Sequence, residues 1–124
     1  DCPRLAVAES PIDALSLATL VKLSGGDPRD SHYLSLGGTG PRALMQFLHD
    51  HPHVTQISFC LDNDKAGLKG IERLTQEIQN DTELSGRVKL IYPNPPKQGK
   101  DYNEFLCTHV KAARTAQRQR DGAR

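Results

Sequence analysis

Short apolar segments alternate with helix-like segments along almost the whole chain, and this alternation limits the possible fold more than any other feature. The apolar segments predict four strands, at residues 4–8, 33–36, 54–61 and 87–92. A helix between two strands returns the chain to the edge of the sheet where it started, so the strands run parallel. The sequence therefore predicts a three-layer, Rossmann-like α/β fold with a central, mostly parallel, four-stranded sheet flanked by helices.

Helix signals fill the intervals between the strands. Ser10-Pro11 is typical of a helix start, and Gly25-Gly26 of its end. Further helices are expected at residues 41–50, 65–79 and 102–113. In the third helix, an apolar stripe is predicted to face the core: Leu68, Ile71, Leu74 and Ile78. Residues 114–124 are polar and rich in arginine, so we expect one domain at 1–113 followed by a flexible basic tail.

The overall composition excludes several classes of protein. Sixteen Lys and Arg residues balance fifteen Asp and Glu residues, so total charge gives no bias toward nucleic acid or membrane. The three cysteines are far apart and form no CxxC pair, which argues against a disulfide framework and a zinc site and favours the cytoplasm. No apolar run is long enough for a membrane span, and no basic start followed by an apolar stretch marks a signal peptide. Because the chain opens on Asp1, we expect it to be a piece of a longer protein.

Two aspartates, Asp62 and Asp64, directly follow the third predicted strand. When both are ionised they repel each other, unless a cation, a helix terminus or solvent offsets the repulsion. In a parallel sheet the same edge also receives Glu9 after the first strand and Lys100-Asp101 after the fourth. Several carboxylates at one edge favour a Mg²⁺ or Mn²⁺ site, because these cations prefer hard oxygen ligands.

Each of these acidic residues also has an ordinary structural explanation. Asp64 suits the N-cap of the third helix, Asp62 suits a solvated strand end, and Glu9 suits an exposed loop. Only the presence of all of them at one edge of the sheet favours a catalytic or metal-binding site. The loop after the second strand, Gly37-Gly38-Thr39-Gly40, is a weak phosphate-binding signal because it lacks the full phosphate-loop and dinucleotide patterns.

Three other features have structural interpretations. His49, His51 and His53 lie where the second helix ends, at the opposite edge of the sheet, and a favourable interaction with the helix terminus explains them better than a metal site. Cys60 lies within an apolar strand and is expected in the core. Ser10 is expected to cap a helix rather than act as a nucleophile.

Four stretches follow one another along the chain: Leu5-Ala-Val-Ala-Glu9-Ser-Pro-Ile-Asp-Ala-Leu15, Leu34-Ser-Leu-Gly-Gly-Thr-Gly40, Leu61-Asp-Asn-Asp-Lys-Ala-Gly67 and Gly99-Lys-Asp-Tyr-Asn-Glu-Phe-Leu106. In their order and spacing they resemble the Toprim domain shared by topoisomerases and primases. The likeness covers about residues 4–106 and is greatest to bacterial replicative primases and to primase-like Toprim proteins of plasmids and mobile elements. The ordered set is specific, whereas an isolated Asp-x-Asp is not.

The resemblance implies roles for individual residues. Glu9, Asp62 and Asp64 match the family's catalytic and metal-binding acids, and Asp101 matches an acid that primases also place at the metal centre. Asn103 stands where a second aspartate is common, which leaves the number of metals open. Phosphate contacts are expected from Lys65, Lys100 and the loop Gly37, Gly38, Thr39 and Gly40. DNA or RNA and nucleotide triphosphates are the implied partners, together with template-binding and zinc-binding domains of a parent protein.

Three functional hypotheses follow. The first is the metal-dependent catalytic domain of a primase-like nucleotidyltransferase in DNA replication or plasmid transfer, weak or inactive in isolation. The second is a Toprim nuclease that hydrolyses phosphodiesters. The third is a non-catalytic nucleic-acid-binding module that uses basic residues near the C-terminus, Lys111, Arg114, Arg118, Arg120 and Arg124.

Overall fold

The computed structural model describes residues 2–37 and 41–122. The described part contains four strands: β1 (Arg4–Ala8), β2 (His32–Ser35), β3 (Gln56–Phe59) and β4 (Leu90–Pro93). It contains five α-helices: α1 (Pro11–Leu23), α2 (Arg42–Asp50), α3 (Lys65–Asn80), α4 (Thr82–Arg87) and α5 (Tyr102–Gly122). A single 3₁₀ turn, Pro28–Asp30, precedes β2. None of these helices is long and apolar enough to cross a membrane.

The strands form one parallel sheet in the order β2-β1-β3-β4. The predicted α/β fold with a four-stranded sheet is therefore confirmed. The chain moves from β1 to one side for β2 and then returns to the other side of β1 for β3. This reversal places a topological switch point between the carboxyl ends of β1 and β3, which is where open α/β sheets bind ligands.

Helices cover both faces of the sheet, and each face has its own apolar cluster. The larger cluster joins β1 and β3 to α2, α3 and α4, with Phe59, Leu44 and Leu84 fully buried. The smaller cluster joins the sheet to α1 and α5 through Ala6, Leu17, Cys60 and Tyr102. The alternation along β1 explains the two clusters, since Leu5 and Val7 face one layer and Ala6 the other.

Helix α4 was not predicted. Asp81 caps it by accepting hydrogen bonds from the backbone amides of Glu83 and Leu84, both at 3.0 Å, and Leu84 is buried in the larger cluster. The helix ends at Arg87, the predicted first residue of the fourth strand, and β4 begins at Leu90 rather than at residue 87. A single buried leucine in six residues is too short a pattern to show helical periodicity, which explains the missed helix.

The last helix was predicted to end at residue 113, and this was wrong, because α5 continues to Gly122. Its second half has no apolar stripe but is rich in residues with good intrinsic helix propensity, such as Ala, Arg and Gln. Side-chain hydrogen bonds one turn apart add local support, with Gln117 bonded to both Asp121 and Arg120. Local propensity, rather than burial, accounts for this part of the helix.

The predicted apolar stripe of α3 is confirmed for three of its four residues. Ile71, Leu74 and Ile78 are buried, whereas Leu68 is 52% exposed. On α1 the buried positions include the polar residues Asp13 and Ser16, while Leu15 is 70% exposed. Helix α1 therefore packs against the rest of the protein partly through Asp13 and Ser16, and a search for apolar periodicity does not detect polar residues in such positions.

Candidate metal centre

Glu9 and Asp62 meet at the switch point between β1 and β3. The backbone amide of Cys60 donates to the carbonyl oxygen of Val7 at 2.7 Å, which keeps the two strand ends side by side. Just beyond, the backbone amide of Asp62 lies 3.4 Å from Oε1 of Glu9 and donates to it. The structure thus brings these two predicted site residues together.

Asp64 caps helix α3, as the structural interpretation proposed. Its Oδ1 accepts a 2.7 Å hydrogen bond from the backbone amide of Gly67. Its other oxygen, Oδ2, lies 3.9 Å from Nζ of Lys100, and both side chains are partly exposed. The cap therefore uses one carboxylate oxygen and leaves the second facing the loop that carries Lys100.

A backbone contact brings the Lys100-Asp101 loop to the Asp-x-Asp loop. The amide of Asn63 donates to the carbonyl oxygen of Lys100 at 2.7 Å. Asp101 then caps α5, because its Oδ1 accepts from the amide of Glu104 at 2.8 Å. Although they are far apart in the sequence, Asp62 and Asp101 become neighbours through this single pairing.

Sequence reasoning did not identify Asp13, which is the most buried carboxylate of the site at 5% exposure. One oxygen accepts from Oγ of Ser10 at 2.9 Å and the other from the backbone amide of Asn103 at 3.1 Å. Asp13 thereby connects the start of α1 to the start of α5. One feature of the sequence could have identified Asp13 as a site residue. It lies in the first turn of α1, four residues after Glu9, and therefore near the same edge of the sheet.

Three carboxylates converge closely enough to share one ion. Oxygen atoms of Asp13, Asp62 and Asp101 all lie within 4.8 Å of one another. Of the predicted metal ligands, Asp62 and Asp101 belong to this set, while Glu9 and Asp64 lie beside it through the contacts described above. We call these five residues the acidic site: Glu9, Asp13, Asp62, Asp64 and Asp101.

The acidic site brings five carboxylates together, and Lys100, 3.9 Å from Asp64, offsets only part of their negative charge. The pKa of the Asp62 carboxyl group is raised to about 6, and burial is the largest cause. Further upward contributions come from the surrounding carboxylates, in order of size Glu9, Asp13, Asp101 and Asp64. A bound cation would reverse these contributions, because it favours the ionised form of every ligand. The donor set and its charge therefore fit a divalent metal.

Gly67 allows α3 to start directly against the Asp62 loop. A Cβ added at Gly67 would overlap the backbone carbonyl oxygen of Asp62. Only glycine fits this approach, and the approach fixes the helix N-terminus beside the aspartates. The glycine of the stretch Asp64-Lys-Ala-Gly67 is therefore required for steric reasons.

The residues predicted to bind phosphate lie in different environments. The amide of Gly37 already donates to the carbonyl oxygen of Glu9 at 3.0 Å, so it is engaged inside the protein rather than free for a phosphate. Gly38, Thr39 and Gly40 lie outside the described residues. Lys65 is exposed at the first position of α3, directly after Asp64, and the ammonium group of Lys100 lies 3.9 Å from the Asp64 carboxylate, so both residues are at the same edge as the acidic site.

The structural interpretations of Ser10 and Cys60 are confirmed. Ser10 is the N-cap of α1, and its side chain accepts from the amide of Asp13 at 3.3 Å. Cys60 is buried in the smaller apolar cluster. Tyr102 packs there too and donates from its hydroxyl to the carbonyl oxygen of Asn94 at 2.6 Å, so both its ring and its hydroxyl are engaged inside the protein.

A profile of the Toprim-like family matches residues 6–106 of the chain. The chain belongs to the Toprim-like family. Toprim domains in general bind divalent metals and interact with nucleic acids and nucleotides, which agrees with the acidic site at the carboxyl edge of the sheet.

The chain is also 33% identical over 127 residues to an uncharacterized protein of Bacillus anthracis. That alignment includes 94% of this chain but only 34% of the relative, so the chain spans about a third of the relative's length. No solved structure matches the chain significantly. The comparisons therefore establish the domain family, and this relative's name assigns no activity.

Proposed function

We propose that this chain is the metal-binding catalytic domain of a primase-like nucleotidyltransferase that serves DNA replication or the transfer of a plasmid or mobile element. One observation carries the proposal: carboxylates of Asp13, Asp62 and Asp101 converge within 4.8 Å at the switch point of a Toprim-like sheet. The order of the motifs along the chain supports the primase type, as set out above. The cytoplasm is the matching compartment.

Mg²⁺ or Mn²⁺ is the proposed cofactor. The three converging aspartates would hold it. Glu9, which accepts from the backbone amide of Asp62, and Asp64 are the proposed further ligands or proton acceptors. When bound, such an ion stabilises the charge of a phosphoryl-transfer transition state and lowers the pKa of an attacking hydroxyl. Asp62 is well suited to hold the ion because a neighbouring positive charge would offset the burial and the carboxylate repulsion that raise its pKa.

Two lysines are the proposed phosphate contacts in the described part of the chain. Lys100 and Lys65 flank Asp64 and extend into solvent at the carboxyl edge. An ammonium group at this edge attracts a triphosphate or a nucleic-acid phosphate to the metal centre. Lys100 exchanges its 3.9 Å contact with Asp64 for the incoming phosphate at little cost, since exposed ion pairs are weak.

We also propose that the chain works as a part of a larger protein. Its alignment with only a third of its relative supports this view. Template-binding and zinc-binding domains elsewhere in the parent protein would hold the nucleic acid against the acidic site. Activity in isolation would then be weak, because positioning of the template contributes much of the rate.

The decisive assay compares synthesis with cleavage. The longest natural protein that contains this chain is incubated with single-stranded DNA, nucleotide triphosphates and Mg²⁺ or Mn²⁺, and the products are separated by length. New oligonucleotides that disappear in an Asp62→Asn variant support the primase assignment. Shortened DNA without new oligonucleotides, again dependent on Asp62, would instead establish a Toprim nuclease.

A specific observation supports the non-catalytic alternative as well. Lys111, Arg114 and Arg118 are exposed and recur at intervals of three and four on α5, so they form one basic stripe. Such a stripe suits phosphates of a nucleic-acid backbone. DNA binding that depends on this stripe but not on metal or Asp62, in a protein with no synthesis or cleavage, would favour a binding module.

A further inference from the structure

The face of the sheet that carries α1 and α5 is partly open. Helix α5 packs on this face through Tyr102 and Phe105, at the start of the helix, and Tyr102 lies near Cys60, just beyond the end of β3. Nearly all of residues 111–121 in the rest of α5 are exposed. On β4, Leu90 is 47% exposed and Tyr92 is 42% exposed. The helix therefore covers the carboxyl end of this face and leaves side chains of β4 accessible.

Four side chains form one row across this open face. The register of the strands places Ala6 of β1 between Tyr33 of β2 and Ser58 of β3. Tyr92 of β4 is the partner of Ser58 on the other side. Ala6 and Ser58 are small, and neighbouring strands lie about 4.8 Å apart. The row therefore has a low centre, two strands wide, with an aromatic side chain at each end.

A cavity of about 240 Å³ lies against this row, and all four of its side chains line it. Leu17 and Val21 of α1 form an apolar wall. Arg4 and Gln56, which pair with each other two residues earlier on β1 and β3, line the cavity as well. Pockets for drug-sized ligands are larger, about 300–1,000 Å³. The cavity therefore suits one small ring system rather than a large molecule.

Several polar side chains of the lining have no partner within the protein. The Ser58 hydroxyl has only a 3.7 Å contact with the sulfur of Cys60. The following side chains make no hydrogen bond or ion pair with any other residue that the structure describes: Arg4, Tyr33, Gln56 and Tyr92. A few polar groups that converge on a concave, partly apolar surface are the features that orient a bound ligand. The lining therefore has the composition of a small-molecule site.

The chemistry of the lining matches a nucleobase better than a phosphate. Tyrosine rings are surfaces on which any base can stack. The amide of Gln56 offers a donor and an acceptor together, as the edge of a base requires, and the guanidinium of Arg4 can donate to a base or stack on it. Asp27 and Asp30 also line the cavity, so its net charge does not favour a free phosphate.

We propose that this cavity binds an unpaired nucleobase, either of a free nucleotide or of single-stranded DNA or RNA, at a site separate from the acidic site. The base stacks against the tyrosines of the row, and its sugar and phosphate stay in solvent. Ser58 precedes Asp62 by four residues, so the two lie at most about 14 Å apart, and one strand of nucleic acid can reach both sites. This inference goes beyond the proposed function, since it requires neither a metal nor catalysis.

The first test observes the lining directly by NMR in a buffer that contains EDTA, so that no metal occupies the acidic site. Ring resonances of the tyrosines and the side-chain amide of Gln56 are recorded while AMP, GMP, CMP or UMP is added. The proposal predicts shifts at Tyr33, Tyr92 and Gln56, an unchanged Tyr102 ring, and no shift with ribose 5-phosphate, which has no base. A short single-stranded oligonucleotide that binds more tightly than the mononucleotides assigns the site to a strand, and the reverse order assigns it to free nucleotides. No shift with either kind of ligand, or the same shifts with ribose 5-phosphate, would overturn the proposal.

The second test measures the affinity of variants for the ligand that binds best. Tyr92→Ala removes one aromatic end of the row, and Ser58→Leu fills its low centre, so each should weaken binding about tenfold or more. Leu90→Ala is the matched control, because Leu90 lies on the same strand and face with similar exposure but does not line the cavity, and it should bind as the unchanged chain does. Full binding by Tyr92→Ala and Ser58→Leu, or an equal loss in Leu90→Ala, would contradict the proposal. If Ser58→Leu fails to fold, the exposed Tyr92→Ala variant and the spectra of the unchanged chain still decide the question.

Discussion

The backbone amide of Asn63 donates a 2.7 Å hydrogen bond to the carbonyl oxygen of Lys100, and this bond joins the two loops that carry the aspartates of the acidic site. Because it is a backbone contact, it depends on loop geometry rather than on either side chain. It holds Asp62 next to Asp101 although the two carboxylates repel each other. The fold thus assembles a charge arrangement that the apo protein does not stabilise.

The first prediction follows from the raised pKa of Asp62. In the unfolded chain an Asp titrates near its ordinary value of 3.8, whereas the folded value is about 6. Between these values the unfolded chain releases its proton first, so the free energy of unfolding of the metal-free protein decreases as pH rises from about 4 to about 6. Above about pH 6 the full penalty is present. Urea unfolding at a series of pH values measures this slope.

The Asp62→Asn variant should lose that slope. Because Asp62 is partly exposed, solvent screening reduces the effect, and we expect this variant to be more stable than the unchanged chain by about 1 kcal/mol at pH 7.5 without metal. Asp50→Asn, at an exposed position at the end of α2, is the matched control and should leave the slope intact. An unchanged slope in Asp62→Asn would show that other groups cause the pH dependence.

The second prediction separates two glycines of α3. Gly67→Ala should destabilise the protein by about 2 kcal/mol or more, because the new methyl group overlaps the carbonyl oxygen of Asp62. Gly70→Ala should be neutral or stabilising by about 0.5–1 kcal/mol, since its Cβ would meet Leu61 at an ordinary contact distance of 3.5 Å and alanine favours a helix. Thermal unfolding of both variants measures the difference. Equal stabilities would contradict the close approach at Gly67.

The third prediction concerns Asp13, which has both a structural and a proposed metal-binding role. Asp13→Asn keeps an oxygen that can accept from the amide of Asn103, so the free energy of unfolding should change by about 1 kcal/mol or less. Metal affinity should nevertheless fall at least tenfold, because one of three converging carboxylates is lost. Calorimetry and urea unfolding on the same samples separate the two effects. A loss of stability with unchanged metal affinity would make Asp13 purely structural.

The fourth prediction is a pH effect of opposite sign at the other edge of the sheet. Ion pairs with Asp81 and then Glu83 raise the pKa of His49 above its ordinary value of 6.5. Their contribution to stability is therefore fully present below about pH 6.5 and is lost as pH rises through the higher folded value. His49→Gln should flatten this part of the stability profile, and His109→Gln should not. If the stability profile of His49→Gln is the same as that of the wild-type chain, the ion pairs of His49 with Asp81 and Glu83 are completely screened by solvent.

The sequence predicted the parallel α/β fold because each strand and helix carries its own local pattern. It also predicted that Glu9, Asp62 and Asp101 would lie at one edge, since this depends only on strand direction. Asp13 was missed because its role depends on how closely α1 and α5 pack, and that is a tertiary contact. The continuation of α5 was missed because a helix held by propensity alone shows no apolar stripe.

The histidines illustrate the same limit. The predicted placement of His49, His51 and His53 at the opposite edge agrees with the structure, but the short stretch divides between two environments. The partners of these rings, Asp81 on one side and His32 on the other, come from distant parts of the chain. Sequence spacing carries no information about either pairing.

The most direct test of the central claim is a calorimetric titration of the chain with Mg²⁺ and Mn²⁺ at pH 7.5 and at pH 5.5, alongside the Asp62→Asn variant. The account predicts binding at pH 7.5, weaker binding at pH 5.5 because Asp62 takes up a proton near pH 6, and loss of binding in the folded variant. Circular dichroism confirms folding in each sample. Equal binding by the unchanged chain and by Asp62→Asn, or binding that does not depend on pH, would contradict a metal centre at the acidic site.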